Sequence, residues 1–257
     1  MQIDLNSDLG EGFGPWRMGD DAAILAVVTS ANIACGGHAG DPATMFETLD
    51  LAKKRGVIAG AHPGFADREG FGRRLIPLTM KEVEQLVATQ VGALMGAAAL
   101  AGSAIRYVKP HGALGNWAAQ DRGVADAISR AVRALSPVLP VLAISGTELE
   151  FAAAAHGLPV FSEIFADRGY LPNGRLVPRT SPGAMIDNPH EAAERLVSFL
   201  SSGLMPTVGE DAIPLQAHSI CVHGDTGGAL EMARHIRATL EKRHIDVRPF
   251  LQPAEGY

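Results

Sequence analysis

Short apolar runs, many of them β-branched, alternate along this chain with longer stretches of helical spacing. The runs Gln2–Leu5, Ala31–Ala34, Val57–Ala61, Ile105–Val108, Val141–Ile144, Val160–Ile164 and Ser219–Val222 have the length and composition of buried strands. Between them, Val83, Leu86, Val87, Val91, Leu94 and Met95 recur at three- and four-residue intervals, which predicts one buried helix face. Leu230, Ala233, Ile236 and Leu240 predict another. Asp41 followed by Pro42 reads as the N-cap and first turn of a helix that buries Met45, Phe46, Leu49 and Ala52. Strand–helix units repeated without a linker over residues 1–257 predict a single (β/α) barrel domain of seven or eight strands. The competing arrangement, a doubly wound sheet, has no GxGxxG after the first strand to support it.

Two connections are long. Pro63–Leu78 (PGFADREGFGRRLIPL) is glycine-rich and carries adjacent Arg73 and Arg74; Asp167–Met185 contains an Asn173-Gly174 pair suited to a tight hairpin turn. Loops of this length in compact enzymes commonly carry function.

Composition narrows the class. A hydrophobic share of 47% with 19% charged residues suits a globular protein with a sizeable core. A net charge of −6 argues against a nucleic-acid or anionic-membrane surface. No apolar run reads as a membrane span, and MQIDLNSDLGEG carries acids where a signal peptide carries positive charge. The two cysteines, Cys35 and Cys221, make no disulfide framework. The expectation is a cytoplasmic protein.

Catalytic groups in barrels come from the C-terminal ends of several strands, and here nearly every predicted strand ends on polar chemistry. The first runs into Asn6, Asp8 and Glu11, the second into Cys35 and His38, the third into His62. The fourth reaches Lys109 and His111 with Asn116 behind; the sixth reaches Glu163, Asp167 and Arg168; the seventh reaches His223 and Asp225. His38, His62, His111 and His223 all sit beside Gly or Pro, whereas the other five histidines fall in helices or ordinary loops. Four histidines and several carboxylates in one mouth suit acid–base work near neutral pH, or a metal. Singly, each has a plainer role: Asp41 and Asp225 as helix caps, Cys35 as a small core residue, Arg73 and Arg74 as solvated loop charges.

The local zinc spacings HExxH, HxxxH and CxxC are missing, so a metal site would have to be assembled across strands. Asp8, His62 and His111 would supply a carboxylate and two imidazoles for a divalent metal with an open position. There is no P-loop, although the amides of GGHAGD could hold an anion at a helix N-terminus.

Taken in order, DLNSDLGEGFG, TSANIACGGHAGDP, GAHPGFADREGFGRR, VKPHGALGN, EIFADRGY, LVPR and ICVHGD resemble the LamB/YcsF (lactam utilisation) family across nearly the whole chain. The resemblance implies a barrel of the glycoside hydrolase/deacetylase type. It implies ATP-dependent opening of 5-oxoproline to L-glutamate in a complex with subunits B and C, ATP being a co-substrate of the complex and the lactam the small-molecule substrate. A possible divalent metal on Asp8, His62 and His111 follows by analogy with the related deacetylase-like barrels. On this reading the catalytic set is Asp8, His38, His62, Lys109, His111 and His223. The substrate-binding set is Asn6, Glu11, Arg73, Arg74, Asn116, Glu163, Arg168 and Asp225. Arg73 or Arg168 would pair with the substrate carboxylate. Other readings are a stand-alone metal-dependent deacetylase or amidase, and a non-catalytic regulatory subunit. Gly115 and Gly37 stand where the family usually has tyrosine and phenylalanine, which predicts a widened mouth.

Overall fold

The computed structural model describes residues 1–209, 211–223 and 228–252. Its strands are β1 (Gln2–Leu9), β2 (Ser30–Ala34), β3 (Ile58–His62), β4 (Val141–Ile144), β5 (Val160–Phe165), β6 (Leu204–Met205), β7 (Ile213–Pro214), β8 (Ser219–Cys221) and β9 (Asp246–Val247). Its helices are α1 (Asp21–Ile24), α2 (Pro42–Arg55), α3 (Met80–Leu100), α4 (Gly112–Ala118), α5 (Arg122–Leu135), α6 (Glu148–Ala155), α7 (Pro189–Ser202) and α8 (Ala229–Lys242).

The main sheet runs β3-β2-β1-β8-β5-β4 with every pairing parallel. The segment predicted as a strand at 105–108 closes it. Val108 bridges Ala61 on one side and Val141 on the other, and the Lys109 and Leu142 amides donate to the Ala61 and Val108 carbonyls, each at 2.9 Å. Pro110 removes a donor immediately afterwards, so this stave carries few consecutive ladder bonds. The sheet is therefore a ring, as the strand–helix alternation predicts, and the doubly wound alternative falls. Two features lie outside the predicted pattern: the β6–β7 antiparallel pair, and β9 beside the start of β1.

The helices largely follow the predicted spacing. Asp41 caps α2 by accepting from the Thr44 amide, with Pro42 in the first turn. Met45, Leu49 and Ala52 are buried as expected, but Phe46 is 37% exposed because it sits one position off the buried stripe. On α3 the stripe is Val83, Val87, Val91, Leu94 and Ala98, set between α2 and α5, with Leu86 and Met95 at its edge. By length and composition α3 is apolar enough to cross a membrane, contrary to the sequence expectation. At the hairpin, the Gly174 amide donates to Leu171 and the Leu171 amide to Arg175, with Gly174 at φ +79° as such a loop requires.

Alternation along the strands sorts side chains between lumen and helix layer. On β1, Ile3, Leu5 and Leu9 join the outer core, whereas Asp4, Asn6 and Asp8 hydrogen-bond across the lumen. Register sets Asp4 beside Ser219, Asn6 beside Cys221 and Asp8 beside Asn32. Gly60 makes room here: a Cβ on it would lie 2.3 Å from the Tyr107 ring, which crosses the lumen so that its hydroxyl donates to Asn32 Oδ1 at 2.6 Å. The opposite end is plugged by Ile58, Tyr107 and Leu142, with Phe161, Phe250 and Leu251 packed on them.

Candidate functional site

The strand ends open into a cleft of about 500 Å³. On its floor lies Lys109, whose Nζ is 2.9 Å from Glu163 Oε1 and 3.1 Å from Asp8 Oδ1. Asn6 donates to Glu163 at 2.9 Å and Asn32 donates to Asp8 at 2.8 Å, so both carboxylates are held from a second direction. Burial alone would raise the Asp8 carboxyl, but the positive charges of His62 and Lys109 outweigh it and hold it well below the usual carboxylate range. Glu163 goes the other way: burial lifts it, and Lys109 offsets only part of the rise. Burial also opposes the Lys109 ammonium, yet Asp8 and Glu163 keep it well above the ordinary lysine value.

Beside this floor stand three imidazoles. The His62 Nδ1 lies 2.7 Å from the Lys109 carbonyl and His111 Nε2 lies 2.8 Å from the Phe71 carbonyl. A carbonyl only accepts, so both of those nitrogens carry hydrogen. The remaining two, His62 Nε2 and His111 Nδ1, face each other at 3.0 Å. In neutral rings both are lone pairs, and that approach requires a cation between them, either a shared proton or a metal. His38 stacks on His111 at 3.6 Å, and its two buried ring nitrogens make no hydrogen bond, with Nε2 3.4 Å from Glu11 Oε1. Burial pushes both His38 and His111 down, His111 to about 3. One donor atom from each of Glu11, His38, His62 and His111 falls within 4.8 Å of the others. This carboxylate–imidazole set fits a divalent metal. It differs from the expected Asp8, His62 and His111: Asp8 Oδ2 touches His62 at 3.3 Å, but its Oδ1 is held by Lys109.

Glycine explains how the loop over residues 63–78 lies on these rings. A Cβ at Gly64 would sit 2.7 Å from His38 Nδ1, and one at Gly72, where φ is +62°, would sit 2.7 Å from His38 Cβ.

The rim carries arginines. Arg73, Arg168, Arg175 and Arg179 all line the cleft, as does Asn116. Arg168 is tied down, donating to the Ala184 and Val177 carbonyls at 3.2 and 2.6 Å, so of the two expected carboxylate partners Arg73 is the one placed at the opening. Arg74 points away and clamps Asp67 inside its own loop. His223 lines the cleft with Nδ1 2.7 Å from Asp167 Oδ2 and Nε2 2.9 Å from Arg179 Nη2. Asn6 lies beneath the floor, and Asp225 falls outside the described residues. Arg175 and Arg179 were not among the expected site residues, because they sit in an unpatterned loop; the LVPR motif was the signal for Arg179 alone.

Two expectations need correction. Neither glycine widens the mouth: a Cβ at Gly37 would lie 2.6 Å from Gln90 and the Gly64 carbonyl, and one at Gly115 would lie 2.7 Å from the Pro110 carbonyl. Both are points of close backbone approach. The helix start after GGHAGD already holds the Asp41 carboxylate, so it offers no anion site. The Cys35 thiol, pushed up to about 12 by burial, is the small core group the sequence predicts.

Residues 3–255 match the LamB/YcsF family. The chain belongs to that family. Among its members, the 5-oxoprolinase A-subunit of Rhodopseudomonas palustris (strain ATCC BAA-98 / CGA009) is 50% identical, covering 97% of this chain and 99% of that one. A 5-oxoprolinase A-subunit of Pseudomonas syringae pv. tomato is 48% identical over 96% of this chain and 97% of its own. The lactam utilization protein of Thermus thermophilus shares 42% identity and superposes with a TM-score of 0.91, covering 96% of this chain and 99% of that one.

Proposed function

We propose that this chain is the lactam-opening subunit of an ATP-dependent 5-oxoprolinase, converting 5-oxoproline to L-glutamate with partner subunits B and C in the cytoplasm. Its support is twofold: relatives bearing the 5-oxoprolinase name at about half identity over the full chain, and a buried acid–base floor under a cationic rim. The floor is the observation that carries the reading. Asp8, Glu163, Lys109 and the facing His62–His111 pair have no use in a scaffold, which would fill the same lumen with apolar side chains at lower cost.

A five-membered lactam is a stable amide, and ATP drives its opening by phosphorylating the amide oxygen. A first water adds to that carbon, the C–N bond breaks to leave an acyl phosphate, and a second water releases inorganic phosphate to give glutamate. The chain has no P-loop, so the phosphorylating half belongs to the partners. Arg73 at the opening holds the substrate carboxylate. Lys109 presents positive charge toward the carbonyl oxygen, and Asp8, kept ionised, accepts a proton from the attacking water. The proton held between His62 Nε2 and His111 Nδ1 is placed for delivery to the ring nitrogen as the C–N bond breaks. In place of that proton, Glu11, His38, His62 and His111 would hold a divalent metal, which when bound supplies Lewis-acid polarisation instead.

The test is glutamate and ADP release from the purified chain alone and then from the reconstituted complex. ATP-dependent glutamate formation only in the complex is the expected result. Lactam opening by the chain alone without ATP would assign it to the stand-alone amidases instead.

A further inference from the structure

Among the cleft-lining groups, one contact fixes a tautomer outright. Arginine has only donors, so the Arg179 Nη2 at 2.9 Å makes His223 Nε2 an acceptor. The hydrogen of the neutral ring is then on Nδ1, directed at the Asp167 carboxylate at 2.7 and 2.9 Å. That is the arrangement of a carboxylate-oriented general base, with an imidazole held in one tautomer by a buried acid. Phe165 stacks on the ring, its centroid 5.6 Å away, and fixes the plane. What the dyad lacks is an available Nε2, because the guanidinium occupies it.

We infer that Arg179 is an anion-sensitive cap on a His223–Asp167 general base: an oxyanion entering the cleft draws the guanidinium off Nε2 and so releases the base where the substrate has just bound. The energetic ground is the difference between two hydrogen bonds. A guanidinium on a carboxylate or phosphate joins opposite charges and is commonly bidentate, two parallel N–H···O bonds against the single bond it makes to a neutral imidazole. The cleft favours such a ligand, since Arg73, Arg168 and Arg175 line it together with Arg179. Arg179 is half-buried at the cleft surface, with its Nη1 on Met185 Sδ at 3.6 Å. Once uncapped, Nε2 takes a proton from the second water as its oxygen attacks the acyl phosphate and inorganic phosphate departs, while Asp8 serves the first water; the imidazolium that forms is held by Asp167. Lys109, Asp8 and Glu163 are the other charged groups on that cleft surface. Arg179 is thus a positioning residue, acting through His223. The inference rests on the cleft being the reaction site, but its test needs no turnover.

The full chain labelled with ¹⁵N-histidine is followed by long-range ¹H–¹⁵N spectra, with His223 assigned by its loss in His223→Gln. In the free protein Nδ1 carries hydrogen and Nε2 shows the shift of a hydrogen-bonded acceptor. Inorganic phosphate or acetate should move the Nε2 resonance while leaving Nδ1 protonated. A response to phosphate alone marks the ligand as phosphoryl, and a response to acetate marks it as a carboxylate. Arg179→Ala should show the uncapped shift with no probe present and give no further response. Arg179→Lys, which keeps the charge but loses the planar fork, covers the case of a disturbed loop and should show a diminished response. An Nε2 resonance unmoved by saturating levels of both probes, or an Arg179→Ala variant that still responds like wild type, overturns the cap. Neither outcome depends on whether the chain opens 5-oxoproline.

Discussion

Replacing Lys109 with methionine isolates the energetics of the cleft floor. The side chain is nearly isosteric, so packing changes little, but the ammonium between Asp8 Oδ1 and Glu163 Oε1 disappears. Breaking a buried pair from one side costs about 3–5 kcal/mol, because a charge is left without its partner. For a domain of this size that is a loss of roughly 10 °C in melting temperature. The loss must depend on pH. In the wild type Asp8 is held low, so its contribution is present above the unfolded carboxyl value and is lost only as pH falls through the folded one. In Lys109→Met the Glu163 carboxyl, already raised by burial, loses the charge that offset part of its rise, while His62 still acts on Asp8. The variant is therefore spared in acid, where Glu163 is protonated, and loses stability as pH rises. The deficit between the two proteins should therefore grow from about pH 5 to about pH 8, measured by urea unfolding at each pH. Adding Glu163→Gln to Lys109→Met should recover about half the deficit at the upper end of that range, since one unpaired acid is removed. A deficit of equal size at both pH values would refute the reasoning, as would a second substitution that recovers nothing.

Three further outcomes are expected. His62→Ala or His111→Ala should abolish turnover of the reconstituted complex with thermal unfolding close to wild type, and near-normal turnover in both variants would make the chain a regulatory subunit. Asp4, raised to about 6 by burial, binds its proton more tightly folded than unfolded; wild-type stability should then fall by up to about 3 kcal/mol as pH rises from about 4 to about 6, a slope that Asp4→Asn should flatten in urea titrations. Zinc added at about a hundredfold its dissociation constant should stabilise the wild type by about 2.7 kcal/mol and lose that effect on chelation; an equal rise in melting temperature in His38→Ala would remove His38 from the ligand set.

The barrel was legible in the sequence because its strands are buried on both faces and its helices on one, so the two periods separate cleanly. The histidines were legible because His38, His62 and His111 each follow a strand within a few residues, and strand ends in a ring converge. Harder to see was anything set by the long loops. Arg74 and Arg73 are adjacent in sequence, yet one turns to Asp67 and the other to the cleft. Nothing in the residues themselves distinguishes them; the turn geometry at Phe71 (φ +53°) and Gly72 does. Likewise Gly37 and Gly115 read as missing aromatics, when the deciding facts are a Gln90 side chain and a Pro110 carbonyl. That Glu11 joins the three imidazoles was hidden because it lies beyond the strand, on a turn whose direction the pattern does not report.

The alternation on β1 has a consequence for how the chain reaches its native state. Slipping β1 by one residue would turn Ile3, Leu5 and Leu9 into the lumen and drive Asp4, Asn6 and Asp8 into the apolar layer beneath the helices. The misregistered ring would bury carboxylates with no lysine to meet them, at several kcal/mol each. The same charges that equip the cleft thus act as error-checking marks during assembly, rejecting any closure of the ring but one. Hydrophobic strands alone would tolerate the slip, because apolar side chains on either face look alike. A lineage that neutralised the lumen to gain stability would lose the mark along with the chemistry, so this barrel's fidelity in folding and its reactive floor are inherited as a single trait.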